Sequence, residues 1–222
     1  MLDKKRVLIF DWDGTLFDSM PIKYKTFSEV VASYLSSRNH DIVPPHVLNI
    51  YKQHSGEPRV ELFNKVAKHY NLMLSKQDTD NMSALLTKRN ETALLEAQLF
   101  PDASMLLTAL KETIYKIYIS SSVPTEELYP LVKRNIQAHI LPRISDIFGS
   151  EPGFSKGKDH VANICKQEQC KPEACLMFGD DEADMVLSRD AGIDSRLIDR
   201  TGSYKGSNWQ KISSFKELIA CL

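Results

Sequence analysis

The stretch VLIFDWDGTLFDS, residues 7–19, places two aspartates directly after a short apolar run. Val7–Phe10 is continuously apolar and contains β-branched residues, which predicts a fully buried strand of a parallel sheet. Asp11 and Asp13 follow this strand one residue apart. Two carboxylates so close raise each other's cost of ionisation unless a positive group lies near them. The stretch therefore predicts a buried strand that ends at a charged site.

The composition is that of an ordinary globular protein. The chain has 222 residues, of which 42% are hydrophobic and 26% charged, and its formal net charge is -1. A net charge near zero gives no support to binding of nucleic acids or anionic membranes as the main function, so we expect neither as a partner. No apolar run approaches the roughly 20 residues that span a bilayer, and we expect a cytoplasmic location.

The four cysteines, Cys165, Cys170, Cys175 and Cys221, form no CxxC pair and have no companion pair of histidines. We expect reduced thiols that pack as small apolar groups, in preference to disulfides or zinc ligands.

Strands and helices alternate after Pro101. The predicted strands are IYKIYI, ISDIFGS, ACLMFG and SRLID, and the predicted helices around them are DASMLLTALKE, TEELYPLVKRN, GKDHVANICKQ, ADMVLSRDAG and SFKELIACL. Gly192 is placed as a helix C-terminal cap, and Ser214 and Glu217 have the spacing of a capping box in the last helix. This alternation predicts an α/β fold, a Rossmann-like parallel sheet with helices on both faces.

The segment between the first strand and the remaining strands has a different pattern. Periodic helical stretches such as FSEVVASYL and RVELFNKVAKHY follow one another, and we find no convincing strand there. We therefore predict a catalytic core of residues 1–17 and 99–222, and an inserted all-helical cap domain of residues 18–98 over the edge of the sheet.

Polar side chains follow the carboxyl end of each predicted strand. They are Asp11 and Asp13 after the first strand, Ser120 to Ser122 after the second, Ser155 to Lys158 after the third, and Asp180, Asp181 and Asp184 after the fourth. We expect these groups to meet at one rim, where open parallel sheets bind ligands. Clustered carboxylates suit Mg²⁺, while hydroxyls, N–H groups and a lysine suit phosphate oxygens. The residues predict metal-assisted phosphoryl chemistry.

Four motifs in this order resemble the haloacid dehalogenase superfamily of phosphatases. They are DWDGT at residues 11–15, IYIS ending at Ser120, Lys156, and GDDEAD at residues 179–184. The likeness is greatest to the branch that contains phosphoglycolate phosphatases and β-phosphoglucomutases, and the helical segment matches the position of that branch's cap.

The resemblance implies a role for each matching residue. Asp11 corresponds to the nucleophile that forms an aspartyl-phosphate, and Asp13 to the general acid and base. The implied Mg²⁺ ligands are the Asp11 carboxylate, the Asp13 backbone carbonyl and Asp180, with Asp184 close behind. The implied phosphate-binding groups are the Ser120 hydroxyl, the Ser121 N–H, Gly14 and Lys156, with Lys156 also offsetting the charge of Asp11.

The sequence departs from the family pattern at two places. Asp181 stands where Ser or Thr is common, so it is a further candidate for the metal shell. The usual Lys-Pro pair is absent, which leaves Lys156 and Lys158 as candidates for the active-site lysine, and we favour Lys156.

Within the helical segment, His54, Gly56 and Arg59 resemble the family's cap stretch. The Arg59 guanidinium is a candidate for binding a second anionic group of the substrate, although a surface arginine explains it as well. The other histidines form no metal pattern and are interpreted as surface or satisfied core groups.

The leading hypothesis is a Mg²⁺-dependent phosphatase that hydrolyses a small phosphorylated metabolite, acting as a monomer or weak homodimer. A phosphomutase that returns the phosphoryl group to a sugar is the alternative with the same core. A non-catalytic phospho-receiver module also combines acids, a hydroxyl and a lysine, but lacks a helical insertion after its first strand. Dehalogenation is disfavoured because it needs neither Asp13 nor the acid cluster, and a catalytically silent scaffold is disfavoured because every motif position is filled.

Overall fold

A parallel sheet of six strands is the centre of one unit of the chain, Met1–Asp18 with Gln98–Leu222. The structure is a computed structural model that describes residues 2–38, 41–54 and 57–222. The strands are β1 (Val7–Phe10), β2 (Lys116–Pro124), β3 (Ile144–Ser150), β4 (Cys175–Gly179), β5 (Asp194–Ile198) and β6 (Lys211–Ile212). Their order is β3-β2-β1-β4-β5-β6, and each neighbouring pair is parallel. The predicted α/β fold class is therefore confirmed.

The second unit, Ser19–Ala97, contains only helices among its described elements. They are α1 (Met20–Ser36), α2 (Pro44–Gln53), α3 (Arg59–His69) and α4 (Lys76–Ala93). Their apolar faces share a core of their own that includes Phe27, Phe63 and Met82. The predicted domain boundaries differ from the division into these two units by one residue at each junction. The function of the helical unit as a cap stays a prediction.

Helices cover both faces of the sheet. They are α5 (Pro101–Leu110), α6 (Thr125–Asn135), α7 (Lys158–Gln167), α8 (Glu182–Asp190) and α9 (Lys216–Ile219). Because side chains alternate along a strand, Ile9 packs with Val161 of α7 on one face. On the other face the rings of Phe10 and Phe178 stack 5.1 Å apart, and both contact Phe215 before α9. No helix in the described ranges has the combination of length and apolar character that crossing a membrane requires.

Two local predictions are wrong, and one strand was not predicted. The strand predicted to end at Ser120 continues to Pro124, because Pro124 pairs with Ser150 of β3 after a shift in register. The short strand β6 follows β5, and no alternating pattern of side chains indicates it. The last helix has no Ser214–Glu217 capping box, because Glu217 Oε1 accepts bonds from the N–H and hydroxyl of Ser213, at 2.8 and 2.7 Å.

Asp102, in the first turn of α5, accepts hydrogen bonds from two distant segments of the chain. Its Oδ2 atom accepts hydrogen bonds from Arg200 Nη1 at 2.6 Å, Ser214 Oγ at 2.8 Å and the Phe215 N–H at 2.8 Å. Arg200 also donates from Nη2 to the carbonyl oxygen of Thr15 at 3.0 Å. These contacts support the loop that follows β1.

Candidate active site

The loop after β1 begins between the ends of two neighbouring strands. Phe10 pairs with Ile119 of β2 on one side and with Phe178 of β4 on the other. Asp11 therefore leaves the sheet at its central strand, and its N–H donates to the Phe178 carbonyl at 2.9 Å. Gly14 turns the loop with a positive φ of 77°, a backbone conformation that residues with a Cβ rarely adopt.

Three carboxylates meet beside this loop. Asp11, Asp180 and Asp184 each place one oxygen within 4.8 Å of the others. The ammonium of Lys156 lies 2.5 Å from Oδ1 of Asp11 and 2.5 Å from Oδ1 of Asp184. Asp180 accepts a hydrogen bond from Thr15 Oγ1 at 3.0 Å. The structure thus brings together four residues that the sequence analysis placed in one site.

Burial controls the ionisation of these groups. Desolvation raises the pKa of Asp11 to about 7. The positive charge of Lys156 lowers this pKa, whereas the negative charges of Asp184 and Asp13 raise it further. Desolvation also raises the pKa of Asp180 well above its usual range, and the charges of Asp11 and Asp184 act in the same direction. Burial alone would lower the pKa of Lys156, but its ion pairs with Asp11 and Asp184 outweigh burial and raise it. Keeping Asp11 and Asp180 ionised together is therefore costly in this protein without another cation.

The donor set fits Mg²⁺. Every candidate ligand atom is oxygen, the donor that Mg²⁺ prefers. Three ionised carboxylates and one ammonium carry a formal charge of -3 + 1 = -2, which one divalent cation balances. The residues that would hold the ion are Asp11, Asp180 and Asp184, together with the backbone carbonyl of Asp13 that the family resemblance implies.

Two glycines allow the carboxylates to approach the backbone. A Cβ added at Gly14 would lie 2.1 Å from Asp180 Oδ2, and one added at Gly179 would lie 2.2 Å from Asp184 Oδ2. Both distances are far shorter than van der Waals contact. Any side chain at these positions would displace a carboxylate of the cluster.

The structure distinguishes the residues that the sequence left as alternatives. The Lys156 side chain is only 7% exposed and contacts two carboxylates, whereas Lys158 is exposed at the first position of α7. Asp181 is the N-cap of α8, where its Oδ1 accepts from the Ala183 N–H at 2.9 Å. Asp180 belongs to the carboxylate cluster and Asp181 does not.

Ser120 is held by a buried histidine. Its hydroxyl lies 2.8 Å from Nδ1 of His160, and Nε2 of the same ring lies 3.1 Å from the carbonyl oxygen of Gly149. A carbonyl can only accept, so Nε2 carries the ring hydrogen, and the neutral ring accepts the Ser120 hydroxyl hydrogen at Nδ1. Desolvation lowers the pKa of His160 to about 4, which keeps the ring neutral at pH 7.

The remaining core candidates have local contacts as well. Ser121 is buried, and its hydroxyl oxygen accepts from the Val123 N–H at 3.2 Å. Asp13 is half-buried and forms a single β-bridge with Phe17. Their implied roles, phosphate binding and acid–base catalysis, stay predictions.

Two candidate residues of the helical unit, His54 and Arg59, form contacts within that unit. Arg59 is the first residue of α3 and donates from Nη1 to Thr87 Oγ1 of α4 at 2.9 Å. His54 Nδ1 lies 3.1 Å from Glu57 Oε1. Gly56 lies outside the described residues. Substrate binding by Arg59 stays a prediction.

Thr15 and His160 have no predicted role in the site. Thr15 lies inside the DWDGT motif, so the motif was a signal that could have identified it. His160 was counted among the histidines interpreted as surface or satisfied core groups, and both of its nitrogens do have partners. Its contact with Ser120 joins positions 40 residues apart, and no local pattern predicts such a contact.

The model of the haloacid dehalogenase-like hydrolase family matches residues 5–192, a range that contains all four motifs. This match confirms the predicted resemblance and the predicted enzyme class, a hydrolase of that family.

Relatives and solved structures agree with the match. The chain is 22% identical to enolase-phosphatase E1 of Shewanella frigidimarina over 96% of this chain and 98% of that protein. It is 23% identical to phosphoglycolate phosphatase of Colwellia psychrerythraea over 87% of this chain and 84% of that protein. The fold is similar to that of a haloacid dehalogenase-like hydrolase from Streptococcus pneumoniae, with a TM-score of 0.75, 23% identity and 99% of each chain covered.

Proposed function

Because the chain belongs to the haloacid dehalogenase-like hydrolase family, we propose that it is a Mg²⁺-dependent phosphatase that hydrolyses a small phosphate ester through Asp11. The observation that carries the proposal is the Lys156 ammonium between Asp11 and Asp184, beside Asp180. The phosphatase names of the two relatives support the reaction class.

Asp11 suits the role of nucleophile. Its carboxylate is buried at the end of the central strand, and the Lys156 ammonium favours its ionised form. In the first step an Asp11 oxygen forms a bond to phosphorus, and the bond from phosphorus to the leaving oxygen breaks. When bound, Mg²⁺ would polarise the phosphoryl oxygen and offset the charge of the carboxylates.

Asp13 suits proton transfer, because it lies two residues from Asp11 and is more exposed than Asp11. As the leaving alkoxide departs, the Asp13 carboxyl group donates a proton to its oxygen. In the second step Asp13 takes a proton from water while that water attacks phosphorus. The aspartyl-phosphate bond breaks, Asp11 is regenerated as a carboxylate, and inorganic phosphate leaves.

The phosphoryl oxygens are proposed to bind to Ser120, the Ser121 N–H, Gly14 and Lys156. Since the Ser120 hydroxyl donates to His160 in this structure, it must give up that bond to donate to a phosphoryl oxygen. The bond to His160 orients Ser120 before the substrate arrives.

The test is phosphate release from p-nitrophenyl phosphate and from a panel of phosphorylated metabolites that includes phosphoglycolate. We expect turnover with Mg²⁺, and loss of turnover in Asp11→Asn with the fold intact by circular dichroism. Asp190→Asn, which changes an exposed aspartate of α8, is the matched control and should retain full activity. Full activity in Asp11→Asn, or a single stable phosphorylation without turnover in the wild type, would contradict the proposal.

A further inference from the structure

Three cysteine sulfurs lie together at the amino-terminal end of β4, the end opposite the carboxylate cluster. Cys165 is in the last turns of α7, Cys170 is in the loop that follows, and Cys175 is the first residue of β4. Their Sγ atoms all lie within 4.8 Å of one another, and those of Cys165 and Cys175 are 4.0 Å apart. All three thiols are free.

The spacing of the sulfurs matches that of a trigonal metal centre. Metal–thiolate bonds are about 2.3 Å long, so three sulfurs in a plane around one ion are about 4.0 Å apart. The observed separation of Cys165 and Cys175 equals this value, and the third sulfur needs a shift of less than 1 Å. A disulfide, in contrast, requires two sulfurs to close to about 2.05 Å.

The ligand type and the number of ligands favour a soft ion that accepts three sulfurs. Cys175 belongs to an apolar cluster with Val7, Ile9 and Ile164, and Cys165 and Cys170 pack against the same cluster. No histidine or carboxylate of the described residues joins the three sulfurs as a fourth ligand. Zn²⁺ in structural sites is almost always four-coordinate, whereas thiolate sulfur also selects Cu(I).

The backbone around the sulfurs is already held in place. The Cys170 N–H donates to the Cys165 carbonyl at 3.1 Å, which closes the loop between these two residues. Lys5 Nζ donates to the carbonyl oxygens of Glu173 and Cys175 at 2.7 and 3.0 Å. Cys165 and Cys170 are only partly buried, so an ion can reach the sulfurs from solvent.

We propose that Cys165, Cys170 and Cys175 form a site for one Cu(I) ion, separate from the carboxylate cluster. On binding, three S–H bonds are replaced by three S–Cu bonds and three protons are released, with no change in oxidation state. The proposal does not depend on the proposed phosphatase activity. The expectation of reduced thiols that pack as small apolar groups is confirmed for these three residues, and the proposal adds a ligand role to it.

The test titrates the reduced 222-residue protein with Cu(I) without oxygen, in competition with a coloured Cu(I) chelator. We expect the wild type to remove one equivalent of Cu(I) from the chelator. Cys170→Ser, at a partly exposed loop position, should bind at least about 100-fold more weakly while its phosphate release stays unchanged. Cys221→Ser alters the exposed cysteine near the end of the chain and should bind like the wild type.

X-ray absorption of the copper-loaded protein gives a second readout. We expect three sulfur neighbours at about 2.3 Å from the ion. The proposal is overturned if the wild type binds no more tightly than Cys170→Ser, if Cys221→Ser abolishes binding, or if the ion has only two sulfur neighbours.

Discussion

Acidification should destabilise this protein through His160. The ring is fully buried, with Ser120 on one nitrogen and the Gly149 carbonyl on the other. Desolvation lowers its pKa from 6.5 to about 4. The Gly149 hydrogen bond and the charges of Asp159 and Glu151 oppose this shift, while the positive charge of Lys156 adds to it.

The sign of the effect follows from proton binding. Between pH 6.5 and pH 4 the unfolded chain binds a proton at His160 and the folded protein does not, so the free energy of unfolding falls as the pH falls. With a pKa of about 4 in the folded state and about 6.5 in the unfolded state, the loss between pH 7 and pH 5 is about 2 kcal/mol.

Urea unfolding at pH 7 and at pH 5 measures this loss, and His160→Gln isolates it. Glutamine does not titrate, and its amide can still donate to the Gly149 carbonyl. Other groups titrate in both proteins, so the wild type should lose about 2 kcal/mol more than the variant. The exposed His139 provides a control, since His139→Gln should behave like the wild type. An equal loss in wild type and His160→Gln would refute the reasoning.

Other predictions concern the carboxylate cluster. EDTA should abolish phosphate release and added Mg²⁺ should restore it, and activity that survives exhaustive chelation would exclude the metal requirement. Lys156→Met should reduce kcat by at least about 100-fold because it removes the positive charge beside Asp11, whereas Lys158→Met should keep wild-type kcat. Gly179→Ala should lower the free energy of unfolding in urea by about 1–3 kcal/mol, because its Cβ would overlap the Asp184 carboxylate; an unchanged midpoint would contradict this.

Much of the fold and part of the site could be predicted from the sequence. Continuous apolar runs such as Val7–Phe10 identify buried parallel strands, and polar residues after successive strands meet at one edge of the sheet. For this reason Asp11, Lys156, Asp180 and Asp184 could be grouped although up to 173 residues separate them. The family assignment, made from four short motifs in order, is confirmed by the match over residues 5–192.

What the sequence missed depends on tertiary contacts. A strand of two residues, β6, has too few side chains to show alternation. Glu217 has serines at both 213 and 214 within reach, and Ser214 bonds to Asp102 instead. The contact between His160 and Ser120 needs α7 to pack beside β2, which no local pattern specifies. A cytoplasmic location and the oligomeric state stay predictions.

Through Asp102 and Arg200, the position of the loop after β1 depends on residues near the C-terminal end of the chain. A protease that removed everything from residue 213 onward would take away two of the donors to Asp102, the Ser214 hydroxyl and the Phe215 N–H. Asp102 would then keep only its bond from Arg200, the residue that also donates to the Thr15 carbonyl. Because the ring of Phe215 also packs on Phe10 and Phe178, the same cleavage would uncover that face of the sheet, so trimmed preparations should lose stability together with turnover.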